Sequence, residues 1–517
     1  MKTAFPTLLF FLFAFVQPLF PQAGTLDATF DGDGKVLTAF LPAGMDFVLG
    51  LAVQPDQKIV AAGYANGVNS QDFALARYHP DGSLDDSFGQ GGKSTLDFNA
   101  GIDFGRSMLL QPDGKIVVAG CAANGSTTDF AVARFLENGD PDPSFGNNGR
   151  QTTAVIAGKN DGWSVALQAD GKLLVAGTAY PAPDLGVFAL ARYTAQGVLD
   201  TSFGQGGVLT TAVDSTNSHA LAVAVRPDGK IVAAGYAQHG PYFDFAVVQY
   251  LPDGALDPDF GTNGRQLTDI SGFHDFGQAM LLQPDGKVVV AGYTQAGNTQ
   301  QSIALVRYLA NGAPDSSFSL DGKTVTIING VKDIAQAVTL QTDGKIVIAG
   351  FSYVTSFESF RFALVRYHPD GSLDAGFGKV TTAFQVGNDM AHAVAIQADG
   401  KIVAAGGSTS QDFALARYLP GPIVGVQDAT PGAQAGLLYP NPVQETVTIE
   451  YMLEQAVPVS IRLYDGLGNG IAVLADQLHQ TAGRQTQILS LPDGLPAGVY
   501  LITLVTSGGR TNWKVVK

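Results

Sequence analysis

At 517 residues, with 45% hydrophobic but only 15% charged residues and 63 glycines, the chain is too long for one ordinary domain and has the balance of many short strands joined by tight turns rather than of helices with charged faces. Its formal net charge of -16 and isoelectric point near 4.7 exclude a phosphate-backbone partner, because no basic stripe is present to release counterions. The single cysteine, Cys121, excludes an internal disulfide and a CxxC metal or redox site, and reads as a buried inert thiol.

Taken along the chain, Met1-Lys2, the apolar run from Leu8 to Val16, and Pro18 and Pro21 before Ala23-Gly24 follow the charged, apolar and small-residue order of a secretory signal, residues 1–23. The run is too short to cross a bilayer, and no later segment approaches the roughly 18 to 20 apolar residues that would. Next comes a unit built on Gln-Pro-Asp-Gly-Lys and an apolar run ending Ala-Gly. Copies begin at Gln54, Gln111, Gln168, Arg226, Gln283, Gln341 and Gln397, at intervals of about 57 residues. Each unit contains four strand-like segments of alternating, β-branched character. Pro-Asp-Gly forms a hairpin turn between the first two, and a longer connection such as Pro80 to Gly89 joins the last two. Four antiparallel strands per unit make a propeller blade.

The seventh unit stops at Tyr418-Leu419-Pro420 without its fourth strand. Leu26-Asp27-Ala28-Thr29-Phe30 and Gly34 to Thr38 match that missing piece. A solenoid has no reason to divide a repeat between its ends, whereas a ring closed by strand pairing does. The expected fold is therefore all-β: a seven-bladed β-propeller over residues 24–420, closed by the N-terminal strand, then a linker over 421–436 and a small β-sandwich over 437–517.

The units, reading Asp-Gly-Lys-Ile-Val-Val-Ala-Gly, Asp-Phe-Ala-Leu-Ala-Arg-Tyr and Pro-Asp-Gly-Ser-Leu-Asp-x-Ser-Phe-Gly, resemble the delta-60 repeat family of bacterial extracellular proteins, a resemblance that implies fold and compartment and no chemistry. Further on, Tyr439-Pro440-Asn441-Pro442, Ile461-Arg462-Leu463-Tyr464-Asp465, Leu495 to Leu501 and the closing Lys514-Val515-Val516-Lys517 resemble the type A C-terminal sorting domain of the type IX secretion system of Bacteroidetes-type bacteria. That resemblance implies passage across the outer membrane to the surface or the medium, with the secretion machinery as partner through residues 437–517. A monomer is expected.

For chemistry, aspartates recur near the start of each unit's first strand, at Asp46, Asp103, Asp275, Asp333 and Asp389, with Asn160 and Ser218 in the other two units. They read either as an acidic ring around one mouth of the channel or as caps on loop N–H groups, the reading that Asn and Ser favour. An arginine on the third strand of six units, among them Arg77 and Arg417 with Gln249 in the remaining unit, is expected to lie between blades against a carboxylate of the Leu-Asp connection. Acidic density at Asp31, Asp33, Asp81, Asp85 and Asp86 admits calcium, but no EF-hand loop is present, and no metal or other cofactor is assigned. Gly89 to Ser94 ends like a phosphate loop but lies among strands, and is a turn. The seven histidines fall in no catalytic motif, so no catalytic residue is assigned.

Sequence variation concentrates in the second-to-third loops, with Tyr242, Phe243, Tyr353 and Phe357 as aromatic candidates for stacking on a sugar or docking a protein. The leading expectation is a surface-displayed binding module for a glycan, a peptide or a surface protein. The alternatives are a polysaccharide-acting enzyme using Asp275 and Asp333, or a structural cell-coat protein.

Overall fold

The computed structural model describes residues 22–517 except 42–43, 67–69, 99, 215–216, 298–299, 356–358, 411, 422–432, 440–444, 454–455, 466–469, 493, 497 and 507–508. The expected signal and most of the expected linker fall outside the described residues. The described chain forms two compact units that divide between Gly421 and Pro422. No described helix is long and apolar enough to cross a membrane.

The first unit consists of seven four-stranded antiparallel sheets. Blade two illustrates the pattern, with strands Phe104–Leu110, Ile116–Asn124, Thr127–Phe135 and Arg150–Thr153 from the inside outwards. The second and third strands run past the alternation visible in sequence, to a tight hairpin at Gly125-Ser126. Blades are numbered here by their inner strands, which begin at Phe47, Phe104, Asn160, Ser218, Asp275, Asp333 and Met390. Each inner strand touches the next, and the seventh touches the first.

The ring is shut by the N-terminal strand Lys35–Thr38, the outermost strand of blade seven. Lys35 pairs with Ala416, Val36 with Leu415 and Thr38 with Phe413. Leu26 bridges Tyr418, and Gly24 N–H donates to Leu419 O at 2.9 Å. Apolar side chains of adjacent blades interdigitate in the seams; Val60, Phe73 and Leu75 pack against Ile116, Val118 and Ala131, all wholly or almost wholly buried. Burial of this kind is the main stabilising term of the ring.

A polar belt runs through the same seams. Arg77 Nε donates to Asp85 at 2.7 Å, and the equivalent pairs Arg134–Asp142, Arg192–Asp200, Arg307–Asp315, Arg366–Asp374 and Arg417–Asp27 lie at 2.8 to 2.9 Å. Each arginine also donates to a carbonyl of the following blade, as Arg77 does to Glu137 O at 2.6 Å, and stacks on a phenylalanine, Phe88 in that blade. The signature lysine reaches the same carboxylate, for example Lys58 to Asp85 at 3.1 Å and Lys230 to Asp257 at 2.8 Å. Burial alone would raise the Asp85 pKa; bonds from Ser87, Lys58 and Arg77 outweigh it and hold the carboxyl well below its usual range. The Asp-Gly-Lys and Leu-Asp-x-Ser-Phe-Gly signatures thus encode one buried ionic junction per blade.

Two departures from the repeat are compensated in place. Blade four has Gln249 where the others have arginine and Arg226 where they have glutamine. Arg226 Nε donates to Gln249 Oε1 at 2.7 Å and its Nη1 to Gly286 O of blade five at 2.5 Å, while Gln249 donates to Asp257 at 2.6 Å. Tyrosines of five blades donate to a threonine of the preceding blade, as Tyr78 does to Thr38 at 3.0 Å. Where Phe135 replaces the tyrosine, Leu96 replaces the threonine, and both join one apolar cluster. Arg226→Gln is expected to cost about 2 kcal/mol, and the double change Arg226→Gln/Gln249→Arg to recover most of it. Urea unfolding of the four-member cycle checks this, and strict additivity would refute the coupling.

The second unit packs a three-stranded sheet, in the order Ala433–Tyr439, Thr446–Leu453, Gly483–Ser490, on a four-stranded one, in the order Gly470–Gln480, Val457–Asp465, Val499–Thr506, Gly509–Val516. Val447, Ile449, Ile461, Leu463, Ile502, Leu504, Trp513 and Val515 form its core. Its first strand begins at Ala433, inside the stretch read as linker over 421–436. The small residues Ala433-Gln434-Ala435-Gly436 have the composition of a linker but pair with the neighbouring strand from Ala433 onwards.

Candidate functional site

The second-to-third hairpins and the fourth-to-first connections share one end of the propeller, and the Pro-Asp-Gly turns share the other. The recurrent carboxylates stand at the first end, but behind the surface. Asp46, Asp103, Asp275, Asp333 and Asp389 are all wholly buried, as is Asn160, with Ser218 nearly so. Asp46 accepts from Phe40 N at 2.8 Å and Asn66 N at 3.1 Å; Asp103 accepts from Phe98 N and Ala123 N at 2.8 and 3.1 Å. Ile270 N, Ile328 N and Phe384 N donate to Asp275, Asp333 and Asp389 at 2.6 to 2.9 Å. The residues therefore clip each fourth-to-first connection to its blade, and they do not form an open acidic ring. A catalytic pair of Asp275 and Asp333 is corrected on the same ground, since neither carboxylate meets solvent. Burial raises the Asp103 pKa to about 6.

Three of the five connection aspartates weighed for calcium are also spent. Asp81 accepts from Ser83 N and Oγ, Asp33 from Lys35 N, and Asp85 sits in the ionic belt. These are turn and ion-pair contacts.

Of the aromatic candidates, Tyr242 and Phe243 are half-buried and gather with their neighbours. Tyr242 lies 5.5 Å from the Phe273 ring and 5.2 Å from His274; Phe243 lies 5.7 Å from His274 and 5.5 Å from Phe276. Tyr353 packs on Phe360 at 5.3 Å. Phe357 lies outside the described residues.

The structure reveals a second set of positions. Every inner strand carries a β-bulge three residues after the capping position, between Val48 and Gly50, Gly105 and Ser107, Gly162 and Ser164, Ala220 and Ala222, Gly277 and Ala279, Ala335 and Ala337, and Ala391 and Ala393. A bulge turns one side chain out of the pleat. The seven residues so displaced are Leu49, Arg106, Trp163, Leu221, Gln278, Gln336 and His392, all half-buried. They lie on the innermost strands, about 10 Å inward from the rim at 3.3 Å per residue. Their flanks are Gly, Ala or Ser in every blade except at Val48, while they themselves vary in chemistry, a pattern at fixed distance from the capping residue that marks these positions in the sequence.

The polar part of this tier joins blades two and three. The Arg106 guanidinium lies 3.7 Å above the Trp163 ring and donates to Gly162 O at 3.3 Å. Asp161, where the other inner strands place Phe, His, Ile or Met, is buried and accepts from Thr128 at 2.9 Å while pairing with Lys159 at 2.9 Å. The Lys159 ammonium sits 4.5 Å over the Tyr180 ring, and Tyr180 lies 5.9 Å from the His219 ring. Burial, and then the Asp161 charge, raise the Tyr180 pKa, whereas burial lowers His219 to about 4, so at neutral pH both are uncharged. Cys121 beside them is pushed up to about 11 by burial and is an inert thiol. The notch thus offers two cations, one buried carboxylate and aromatic faces, on a chain of strongly negative net charge.

Residues 54–88, 111–145, 168–203, 226–260, 283–318, 341–377 and 397–421 match a β-propeller domain of unknown function, DUF5122, and residues 437–517 match a secretion system C-terminal sorting domain. No curated protein matches the chain. Among solved structures it is similar to the polysaccharide lyase Uly1, at 11% identity over 72% of this chain and 89% of that one, with a TM-score of 0.41. It is also similar to the β-propeller domain of the Trilobed protease from Pyrococcus furiosus, at 13% identity over 72% and 93%, TM-score 0.36. A gluconolactonase of Xanthomonas campestris matches at 13% identity over 78% and 99%, TM-score 0.34. Likenesses this distant bear on neither ligand nor reaction.

Proposed function

We propose that this chain, which combines the seven DUF5122 propeller repeats of the delta-60 type with a type IX sorting domain, is a glycan-binding module whose ligand is an acidic sugar polymer seated at the notch of blades two and three. The sorting domain marks the protein for export by type IX secretion, to the cell surface or the medium. Its ligand is therefore an extracellular one.

The observation that carries the reading is the Arg106 guanidinium stacked on Trp163, with Lys159 and Tyr180 alongside, at positions that differ from blade to blade on an otherwise constant scaffold. An apolar aromatic face accepts the flat side of a pyranose ring. A planar guanidinium fixed beside it pairs with a carboxylate or sulfate through two N–H groups. The negative surface elsewhere repels polyanions and confines them to this notch. The half-exposed Tyr242 and Tyr353 extend the surface a polymer would follow.

The test is binding of the full chain to polygalacturonate and chondroitin sulfate, with neutral dextran as control. Arg106→Ala and Trp163→Ala are each expected to weaken acidic-polymer binding by about ten- to thirty-fold, and Gln336→Ala, at the same tier of blade six across the ring, to leave it within about twofold. Equal affinity for dextran, or binding indifferent to both notch substitutions, would overturn the reading.

A further inference from the structure

A different group of residues, in the seam between blades four and five, carries an inference independent of sugar binding. Asp244 stands at the start of the buried part of blade four's third strand, Asp269 follows its fourth strand, and Asp275 opens the inner strand of blade five. One carboxylate oxygen from each lies within 4.8 Å of the other two. Oxygen ligands on opposite sides of one calcium ion, each about 2.4 Å from it, are separated by that same span.

We propose that this seam is a binding site for a hard divalent cation of the calcium type, ligated by Asp244, Asp269 and Asp275.

Asp244 is only 6% exposed, yet its carboxylate accepts no hydrogen bond from any described residue. A buried carboxylate facing two others without a donor is strongly unfavourable unless it takes up a proton or a cation joins them. The other two carry local bonds: Asp275 accepts from Ile270 N at 2.6 Å and from Ser271 Oγ at 3.4 Å, and Asp269 Oδ1 from Gly272 N at 2.6 Å. Neutral oxygens stand beside them, with Ser271 Oγ 3.4 Å from Asp275 Oδ1 and 2.6 Å from Thr294 Oγ1. The nearby protein cations are committed elsewhere. Lys323 donates to the Asp269 carbonyl at 2.8 Å, and His239 pairs with Asp214 at 2.6 Å.

Repeat symmetry supplies a natural control. At the seam of blades one and two the same three positions are Asp72, Asp97 and Asp103, again within 4.8 Å of one another. The other five seams have at most two carboxylates in these places. At the seam of blades six and seven, the position of Asp244 is taken by Arg361, whose charge acts on Asp389. The fold thus supplies its own cation at one seam and gathers three anions at two others.

The experiment is calorimetric titration of the chelator-stripped full chain with calcium chloride, together with its melting temperature in chelator and in 2 mM calcium. Saturable binding and a calcium-dependent rise in melting temperature are expected. Asp244→Asn should weaken the blade-four site at least tenfold without lowering the melting temperature in chelator, because it relieves repulsion among the three carboxylates. Asp244→Arg, the residue of the sixth blade, should bring the chelator-treated protein up towards the calcium-loaded wild type and abolish this site's share of the calcium response. No heat at millimolar calcium in the wild type, or a response unchanged in both variants, overturns the proposal.

Discussion

Alanine in place of Gly235 is expected to destabilise the propeller by about 3 kcal/mol or more, the cost of forcing a methyl group into a packed backbone. A Cβ there would lie 1.9 Å from the His219 carbonyl oxygen and 3.2 Å from the Ala220 Cα. Neither contact is the movable end of a side chain, so the relief must come from undoing the bulge that displaces Leu221. The reason for the Ala-Gly that ends the apolar run in each unit is thus steric. A Cβ on Gly63, Gly120, Gly292, Gly350 or Gly406 would likewise meet the corresponding carbonyl of its own blade, at 1.8 to 1.9 Å. Gly240→Ala gives the contrast, because nothing lies within 4 Å of its Cβ and only a φ of 59° opposes the side chain; about 1 kcal/mol is expected there. Urea unfolding of both variants measures the difference. A cost at Gly235 no larger than that at Gly240 would mean the inner strands repack freely.

Removing residues 24–38 is expected to convert a soluble propeller into an aggregating one. The deletion takes away the strand paired with Phe413–Tyr418, the Phe30 ring under the Arg417 guanidinium at 4.7 Å, and the carboxylate that Arg417 and Lys401 share in Asp27. Arg417 is 3% exposed. Left without Asp27 it becomes an uncompensated buried charge, worth about 3 to 5 kcal/mol on its own, while the uncovered strand becomes an unprotected edge. Size-exclusion chromatography should show the truncated chain lost to aggregate, and a synthetic peptide of residues 24–38 should restore part of the monomer by strand addition. A monodisperse, normally melting truncation would show that the closing strand is dispensable.

Much of this scaffold was legible because the sequence repeats. The Leu26 to Thr38 segment could be aligned with Leu84 to Leu96, and the strand pairing of Val36 with Leu415 follows from that alignment. The arginine-to-aspartate junction was likewise readable, since both residues recur at fixed spacing within a unit. What escaped was relational. Arg226 and Gln249 are two separate departures in sequence and become one exchange only when their side chains meet at 2.7 Å. Arg106 and Trp163 lie one repeat apart; their small flanks mark each position but do not announce that the two side chains will stack. The carboxylates of Asp46, Asp103 and their equivalents could be either exposed or capping until burial was known, and alternation alone cannot tell the rim surface from the layer just beneath it. At Ala433 composition misled, because small residues suit a linker and an edge strand equally.

The junction of Asp27 with Arg417 spans 390 residues of chain. Contacts of such separation form late, since the loop they close must first be paid out and ordered. The two halves of this clasp are the first and last pieces of the propeller to be synthesised, so six blades must wait with an unfinished neighbour before the circle can lock. The address for export lies beyond both halves, in residues 437–517. By the time that address can fold, every part of the clasp is already present, and the order of elements along the polypeptide ties readiness for secretion to a ring that is able to shut.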